Sequence, residues 1–282
     1  MGYSERMAWT KIQLWLELGR LARVVRIGVV RVYCCACSER ELAEILAIDS
    51  RVFDAAIQSL SEDFAIPALP RTIRFYVLGS TFSSDRLTSL LGLSAPLTPG
   101  RGCWVPSVNA GIVWTSGREQ VSNTMIHEIS HGILYHAGQG GKLPTALEEG
   151  YAMLVVTRHS PMHGVGDAQW AIKGISLGIE RRHISSLKDL CKLTAPQVLK
   201  MSRYRSAMFY AQSFLLAAFV DSLSRKSGEK LLAKLLAYEA GFFQEPAMRI
   251  AELCGMSLCE FEGSYWEFAR DCRNTTKGCT TK

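Results

Sequence analysis

Apolar residues recur at helical spacing along residues 38 to 62, "SERELAEILAIDSRVFDAAIQSLSE", which predicts an amphipathic helix. Ser38 stands in the N-cap position with Glu41 three residues on, the spacing of a capping box. After Pro67 and Pro70 the pattern changes to the β-rich "RTIRFYVLG" (71 to 79), which reads as a strand. Residues 79 to 102 carry Pro96, Pro99 and two glycines near their end, and read as loop. "AGIVWTS" (110 to 116) is a second strand. Helical spacing resumes near Ser122 and runs through "NTMIHEISHGILYHA". The glycine-rich turn "GQGGKLP" then leads to another helix, "TALEEGYAMLVVTR". From about residue 185 to "SLCEFEGSYWEFARDC" the chain is almost entirely helical in pattern. Within that region "MFYAQSFLLAAFV" (208 to 220) reads as a buried helix, since it is too short for a bilayer and carries Gln212 and Ser213. The expected fold is α+β. One domain, 38–282, has a short α/β part over about 38–135 and a mostly helical part over about 136–272.

Residues 1–37 stand apart. "WTKIQLWLELGRLARVVRIGVVRVYCCAC" is apolar but interrupted by Arg20, Arg23, Arg26 and Arg31. A transmembrane span needs about 20 nearly uncharged residues and a signal core about 7 to 15, and neither fits cleanly. On a helix, Arg20, Arg23 and Arg26 share one side. Two readings stay open: a basic amphipathic helix making peripheral contact with a membrane, and a leader or packed N-terminal helix. Export or a cell-envelope location is compatible with both.

Composition narrows the partners. With 48% hydrophobic and 21% charged residues in 282, the chain is globular rather than disordered. A formal charge of +6 without any Lys/Arg block excludes the electrostatic footprint of a nucleic-acid binder. Nine cysteines are too few for a disulfide scaffold at this length. Cys254 with Cys259, and Cys272 with Cys279, lie close enough in sequence to pair in an oxidising compartment. The run "CCAC" at Cys34, Cys35 and Cys37 lacks the second half of a zinc ribbon.

The chemistry concentrates in "MIHEISHG" (125 to 132). Residues four apart lie on one helix face, so His127 and His131 can present imidazole nitrogens to one zinc ion. Glu128 is rotated by about 100° from His127, near enough to act on a water held there. A catalytic zinc takes a third protein ligand. Glu149 lies 149 − 131 = 18 positions beyond the second histidine, on the next predicted helix. Two antiparallel helices joined by the glycine-rich turn would bring it beside the pair. The competing position, six residues past His131, holds Ala137. His136 points about 140° away from His131 on the helical wheel and reads as a surface histidine. His159, His163 and His183 have no ligand spacing.

Taken in order, "TMIHEISHGIL", "LPTALEEGYA", "YAQSFLLAAFV" and "LCGMSLCEFEGSYWEFAR" resemble the peptidase MA-like group of gluzincin zinc metallopeptidases over roughly residues 40 to 270. Only the zinc motifs are specific. The resemblance implies a zincin-like fold, one Zn2+ per chain, a peptide or protein substrate, and Glu149 rather than Glu148 as third ligand. Gly150 and Ala152 would then allow close packing against the first metal helix. It also implies Tyr210, in "YAQS", as a donor to the oxyanion, with Tyr204 as the alternative; a core tyrosine is the competing reading. Gly255, Glu260 and Trp266 match the closing pattern. Two positions depart from the family: Ala146 stands where a tryptophan is common, and Met153 where thermolysin-like relatives place an aspartate that orients a histidine. No "GAMEN"-like motif points to an aminopeptidase.

The strand "AGIVWTS" precedes the metal helix. It is either an edge strand on which an extended substrate could add, or an interior strand. The function expected is a zinc metallopeptidase with Glu128 as general base. The departures at Ala146 and Met153 motivate an alternative, a zinc-binding but inactive peptidase-like protein acting as an interaction or membrane-surface module.

Overall fold

The computed structural model describes residues 22–66, 72–80, 82, 102–106, 109–115, 118–137, 142–159, 171, 173–175, 178, 184–237 and 245–279, without the side chains of 118–120 and 273–279. The fold is α+β, and the chain forms two compact units.

The first unit is built on a five-stranded sheet. Its strands are β1 (Ala22–Ile27), β2 (Val30–Cys35), β3 (Ile73–Leu78), β4 (Gly102–Val105) and β5 (Ala110–Trp114), in the order β1-β2-β3-β5-β4. The inner strands β2, β3 and β5 run parallel, and β1 and β4 pair antiparallel on the outside. The helices α1 (Glu39–Leu46) and α2 (Ser50–Asp63) make the crossover that a parallel β2–β3 pair requires. One sheet face gathers Cys35, Tyr76, Leu78, Ile112 and Trp114 into an apolar cluster. Tyr33 stacks on Tyr76 with centroids 5.0 Å apart.

Three expectations change here. Residues 22–35 are a hairpin of the sheet rather than part of a leader or amphipathic helix. In β2, Val30, Val32 and Cys34 are buried while Arg31 is exposed. That alternation has period two, and the β-branched valines fit a pleated surface. Residues 1–21 lie outside the described residues. The single helix expected over 38–62 is two, because Asp49 restarts the chain: its Oδ1 accepts the Arg51 N–H at 3.0 Å. The capping box at Ser38 and Glu41 does form. Finally, "AGIVWTS" supplies an interior strand. All five residues of β5 are buried between β3 and β4, and the outer strand on that side is β4, which begins at the last residue of the stretch that reads as loop and was not itself expected. The rest of residues 79–102 falls largely outside the described residues.

Glu41 ties this unit together. Its carboxylate accepts from the Ser38 N–H at 2.7 Å, the Ser80 N–H at 2.8 Å and the Thr115 hydroxyl at 2.6 Å. One side chain thereby joins the start of α1 to the residues that follow β3 and β5. Burial pushes its pKa up, but the hydrogen bonds from Thr115, Ser38 and Ser80 prevail and bring it down to about 2.

The second unit is helical: α4 (Thr145–His159), α5 (Leu187–Lys192), α6 (Ala195–Leu199), α7 (Arg203–Ser227), α8 (Leu231–Ala237), α9 (Pro246–Leu253) and α10 (Leu258–Cys279). The long helix α3 (Arg118–His136) belongs to the first unit. The stretch 208–220 lies in α7 and is mostly buried. The whole helix has 25 residues and a window of mean hydropathy 1.2, of which 61% is buried inside the protein, as a core helix would be. Its one buried amide is satisfied: Gln212 accepts from the Ser185 N–H at 3.1 Å and donates to the Ser185 carbonyl at 2.9 Å. Phe219 packs against Phe261, Tyr265 and Phe268 of α10, with centroids 5.2 to 6.1 Å apart. Arg158, near the end of α4, bridges Asp63 at 2.8 Å and Asp221 at 2.5 Å, and Tyr151 donates its hydroxyl to Asp63. Cys254 and Cys259 are not joined by a disulfide here. The side chain of Cys279 lies outside the described residues.

Replacing Glu41 by Gln removes the charge and turns an NH2 group toward N–H and O–H donors. The expected cost is about 1–3 kcal/mol, read from urea unfolding at pH 7. Because the folded-state pKa lies below the ordinary 4.5, the carboxylate's contribution is complete above that value and is lost as pH falls toward about 2. The stability gap between wild type and variant should close over that interval.

Candidate metal centre

Helix α3 carries the histidine pair because its apolar residues leave one side for polar groups. Met125, Ile126, Ile129, Ile133 and Leu134 are buried, whereas His127 and His131 are half-buried. The Nε2 atoms of His127 and His131 lie 3.2 Å apart, with the rings at 4.9 Å and inclined by 69°. Two nitrogens bound at about 2.0–2.1 Å to a tetrahedral ion stand about 3.3–3.4 Å apart. The pair is therefore spaced as two ligands of one ion.

Glu149, on the first half of α4, completes a group. A ligand atom from each of His127, His131 and Glu149 lies within 4.8 Å of the others, and all three residues are half-buried. Two imidazoles and a carboxylate can hold a metal ion, and a tetrahedral ion so held keeps a fourth place for solvent or substrate. Glu148 is half-buried one position earlier and is not a member.

Glu128 is only 5% exposed. Its stem faces the start of β4: a Cβ on Gly102 would stand 3.1 Å from the Glu128 Cγ and 2.6 Å from the Thr124 Cγ2. Two residues on, the Trp104 indole covers Gly132, where a Cβ would meet the ring at 2.7 Å. Thr124, Glu128 and Gly132 are four apart and share a helix face. Alternate residues of β4 thus seat the side of α3 that carries Glu128. Sequence reasoning passed over Gly102, Trp104 and Gly132. The glycine directly after His131 was the available signal for a close neighbour. Cys103, between Gly102 and Trp104, has its thiol pKa pushed up by burial and then by the Glu128 charge.

The position of Gly150 corrects an expectation. Its close neighbour is the backbone of α7 rather than the first metal helix: a Cβ there would stand 1.9 Å from the Ser213 carbonyl oxygen. Ala152 is fully buried, as is Ala146, and Met153 is half-buried. Tyr210 is half-buried on α7, edge-on to Phe209 at 5.4 Å, and Tyr204 is half-buried in the first turn of that helix. His136 is exposed and His159 half-buried at the end of α4; His163 and His183 lie outside the described residues.

No protein-family model matches this chain, and no curated protein matches it.

Two consequences are measurable. Titration of the metal-stripped protein with Zn2+ should saturate at one ion per chain, and His127→Ala, His131→Ala or Glu149→Ala should each weaken binding by at least about 100-fold, since a tridentate site loses a ligand bond. Unchanged affinity in all three variants would remove the site. Gly150→Ala should cost about 1–3 kcal/mol through overpacking against Ser213. It should also weaken Zn2+ binding, because the displaced helix carries Glu149.

Proposed function

We propose that the protein is a zinc-dependent peptidase of the gluzincin type with a zincin-like fold, in which His127, His131 and Glu149 hold one Zn2+ ion. The observation that carries this reading is the 3.2 Å separation of the two Nε2 atoms on an H-E-x-x-H helix, with the Glu149 carboxylate in the same group. A donor set of two nitrogens and one oxygen suits zinc among the available divalent ions. Bound there, zinc supplies Lewis acidity and makes water acidic enough to ionise near neutral pH.

The chain's own residues do the rest. Glu128 follows His127 directly and is nearly enclosed. It accepts a proton from the attacking water and later delivers it to the leaving amine. Tyr210 donates its hydroxyl to the oxyanion that develops on the scissile carbonyl. The substrate lies extended along β4, which is an outer strand of the sheet and faces Glu128 through Gly102. Its main chain bonds to the outer edge of that strand. The expected edge position therefore moves from "AGIVWTS" to "GCWV". Peripheral membrane contact, as a property of an N-terminal helix, is confined to residues 1–21, because Arg23, Arg26 and Arg31 sit on strands.

Met153 favours one further reading. Where relatives of the thermolysin type carry an aspartate, this chain has a half-buried thioether, which accepts only weakly from an imidazole N–H. Partners behind a metal ligand are worth about 10- to 100-fold in affinity or activity. The second reading is a zinc-binding protein without hydrolytic activity.

Glu128→Gln separates the two. For a peptidase, the variant should bind Zn2+ like wild type and lose hydrolysis by about 100-fold or more, measured on a diverse peptide library. Undiminished turnover in the variant would exclude Glu128 as the base. Absence of cleavage by zinc-loaded wild type would favour the second reading.

A further inference from the structure

The run Cys34-Cys35-Ala36-Cys37 closes the β2 strand and serves no purpose in the metal centre. Successive side chains of a strand point to opposite faces. Cys35 accordingly joins the apolar cluster with Tyr76, Leu78 and Ile112, and Cys34 lies on the other face, 3% exposed. Ala36 then turns the chain through a left-handed conformation, with φ of 53°. That turn folds Cys37 back under the strand. Its thiol reaches the Val77 carbonyl at 3.5 Å, and Val77 is the residue directly across from Cys34 in the β2–β3 register. Cys34 and Cys37 therefore both adjoin Val77 of β3, one by strand register and the other through its thiol. The turn is also clamped from outside: the Gly79 N–H donates to the Cys35 carbonyl at 2.8 Å, and a Cβ on Gly79 would stand 2.0 Å from the Ala36 oxygen.

We propose that Cys34 and Cys37 are a peroxide-oxidisable dithiol that closes into an intramolecular disulfide at the end of β2, leaving Cys35 out. A disulfide needs Cα atoms about 4.4–6.8 Å apart, and the left-handed Ala36 after the extended Cys35 bends the chain toward that span, with the positive φ that the third residue of a type II turn requires. The oxidant is hydrogen peroxide, small enough for a recessed sulfur. The Cys34 thiolate attacks one peroxide oxygen: an S–O bond forms, the O–O bond breaks, and hydroxide leaves and is protonated to water. The Cys37 sulfur then attacks the Cys34 sulfur: the S–S bond forms, the S–O bond breaks, and the hydroxyl departs as water with the Cys37 proton. Two thiols are oxidised and one peroxide is reduced to two waters.

The division of roles follows the acidities of the thiols. Hydrogen-bond donation from Cys37 lowers the Cys34 pKa against the opposing effect of burial, and the same bond raises Cys37. Burial pushes Cys35 up to about 12, and burial likewise raises Cys103, Cys191 and Cys254. Thiolates are the reactive form. Among these thiols Cys34 is the one favoured as nucleophile, with Cys37 as its resolving partner. Nothing in this depends on zinc.

The test uses the full chain, reduced, desalted and treated with equimolar hydrogen peroxide, then unfolded in guanidinium chloride, tagged with N-ethylmaleimide and digested with trypsin. The peptide from Val32 to Arg40 carries all three cysteines. The expected result is loss of two of its three tags, with the surviving tag on Cys35, recovery of all three after reductant, and no change in the tag on the exposed Cys259. In Cys37→Ser, a dimedone adduct should accumulate on Cys34. Full tagging of this peptide while Cys259 oxidises, a surviving tag on Cys34 or Cys37, or a disulfide between chains would each overturn the proposal. The wild-type mapping decides the matter even where a variant fails to fold.

Discussion

Two imidazole nitrogens 3.2 Å apart must share a proton or a cation, since two facing lone pairs repel. That constraint organises the first unit. The i,i+4 spacing brings the rings together, and α3 is held by what lies behind it. Trp104 covers Gly132, Gly102 admits the stem of Glu128, and Phe75 meets Trp104 edge-on at 6.2 Å. Upstream, Glu41 fixes Thr115, close before the helix begins. The pair is placed by a sheet and its carboxylate latch, with little left to local propensity.

Glu149, the third member of the group, has supports of its own. Helix α4 touches the backbone of α7 at Gly150, one residue past Glu149, and is tied at Tyr151 and Arg158 to Asp63, with a further ion pair from Arg158 to Asp221. Partly buried ion pairs of this kind add little net stability, because desolvation offsets much of the attraction. What they supply is direction: a planar guanidinium shared between two carboxylates accepts few geometries. A carboxylate ligand must approach a metal within a few tenths of an ångström, so a rigid α4 is worth such a cost.

The sequence disclosed the site better than the frame around it. The grouping of His127, His131 and Glu149 was legible because a helix converts spacing into direction, and their chemistry is rare on one face. The long helices were legible from the same periodicity. Strands β1 and β2 were not, since Arg23 and Arg26 are spaced to share one side of a helix as readily as they fit a twisted hairpin. Strand β4 is four residues long, below the length at which alternation stands out from a loop. The break between α1 and α2 was visible in Asp49 and was outweighed by apolar spacing on both sides. Gly150 signalled a close neighbour without naming it, because Ser213 lies 213 − 150 = 63 residues away. Long-range partners of this sort are set by packing. In the same way, the approach of Cys37 to the strand beside Cys34, past Cys35, depends on strand facing and on the bend at Ala36.

The central claim is that one ion is held by two imidazoles and a carboxylate in a chain that also offers nine thiols. X-ray absorption at the zinc edge of the protein loaded with one equivalent of Zn2+ tests it most directly. The account requires a shell of nitrogen and oxygen at about 2.0–2.1 Å with the outer scattering of two imidazoles, and no sulfur. A sulfur shell at about 2.3 Å would place the metal on cysteines and contradict the reading of His127, His131 and Glu149 as its ligands.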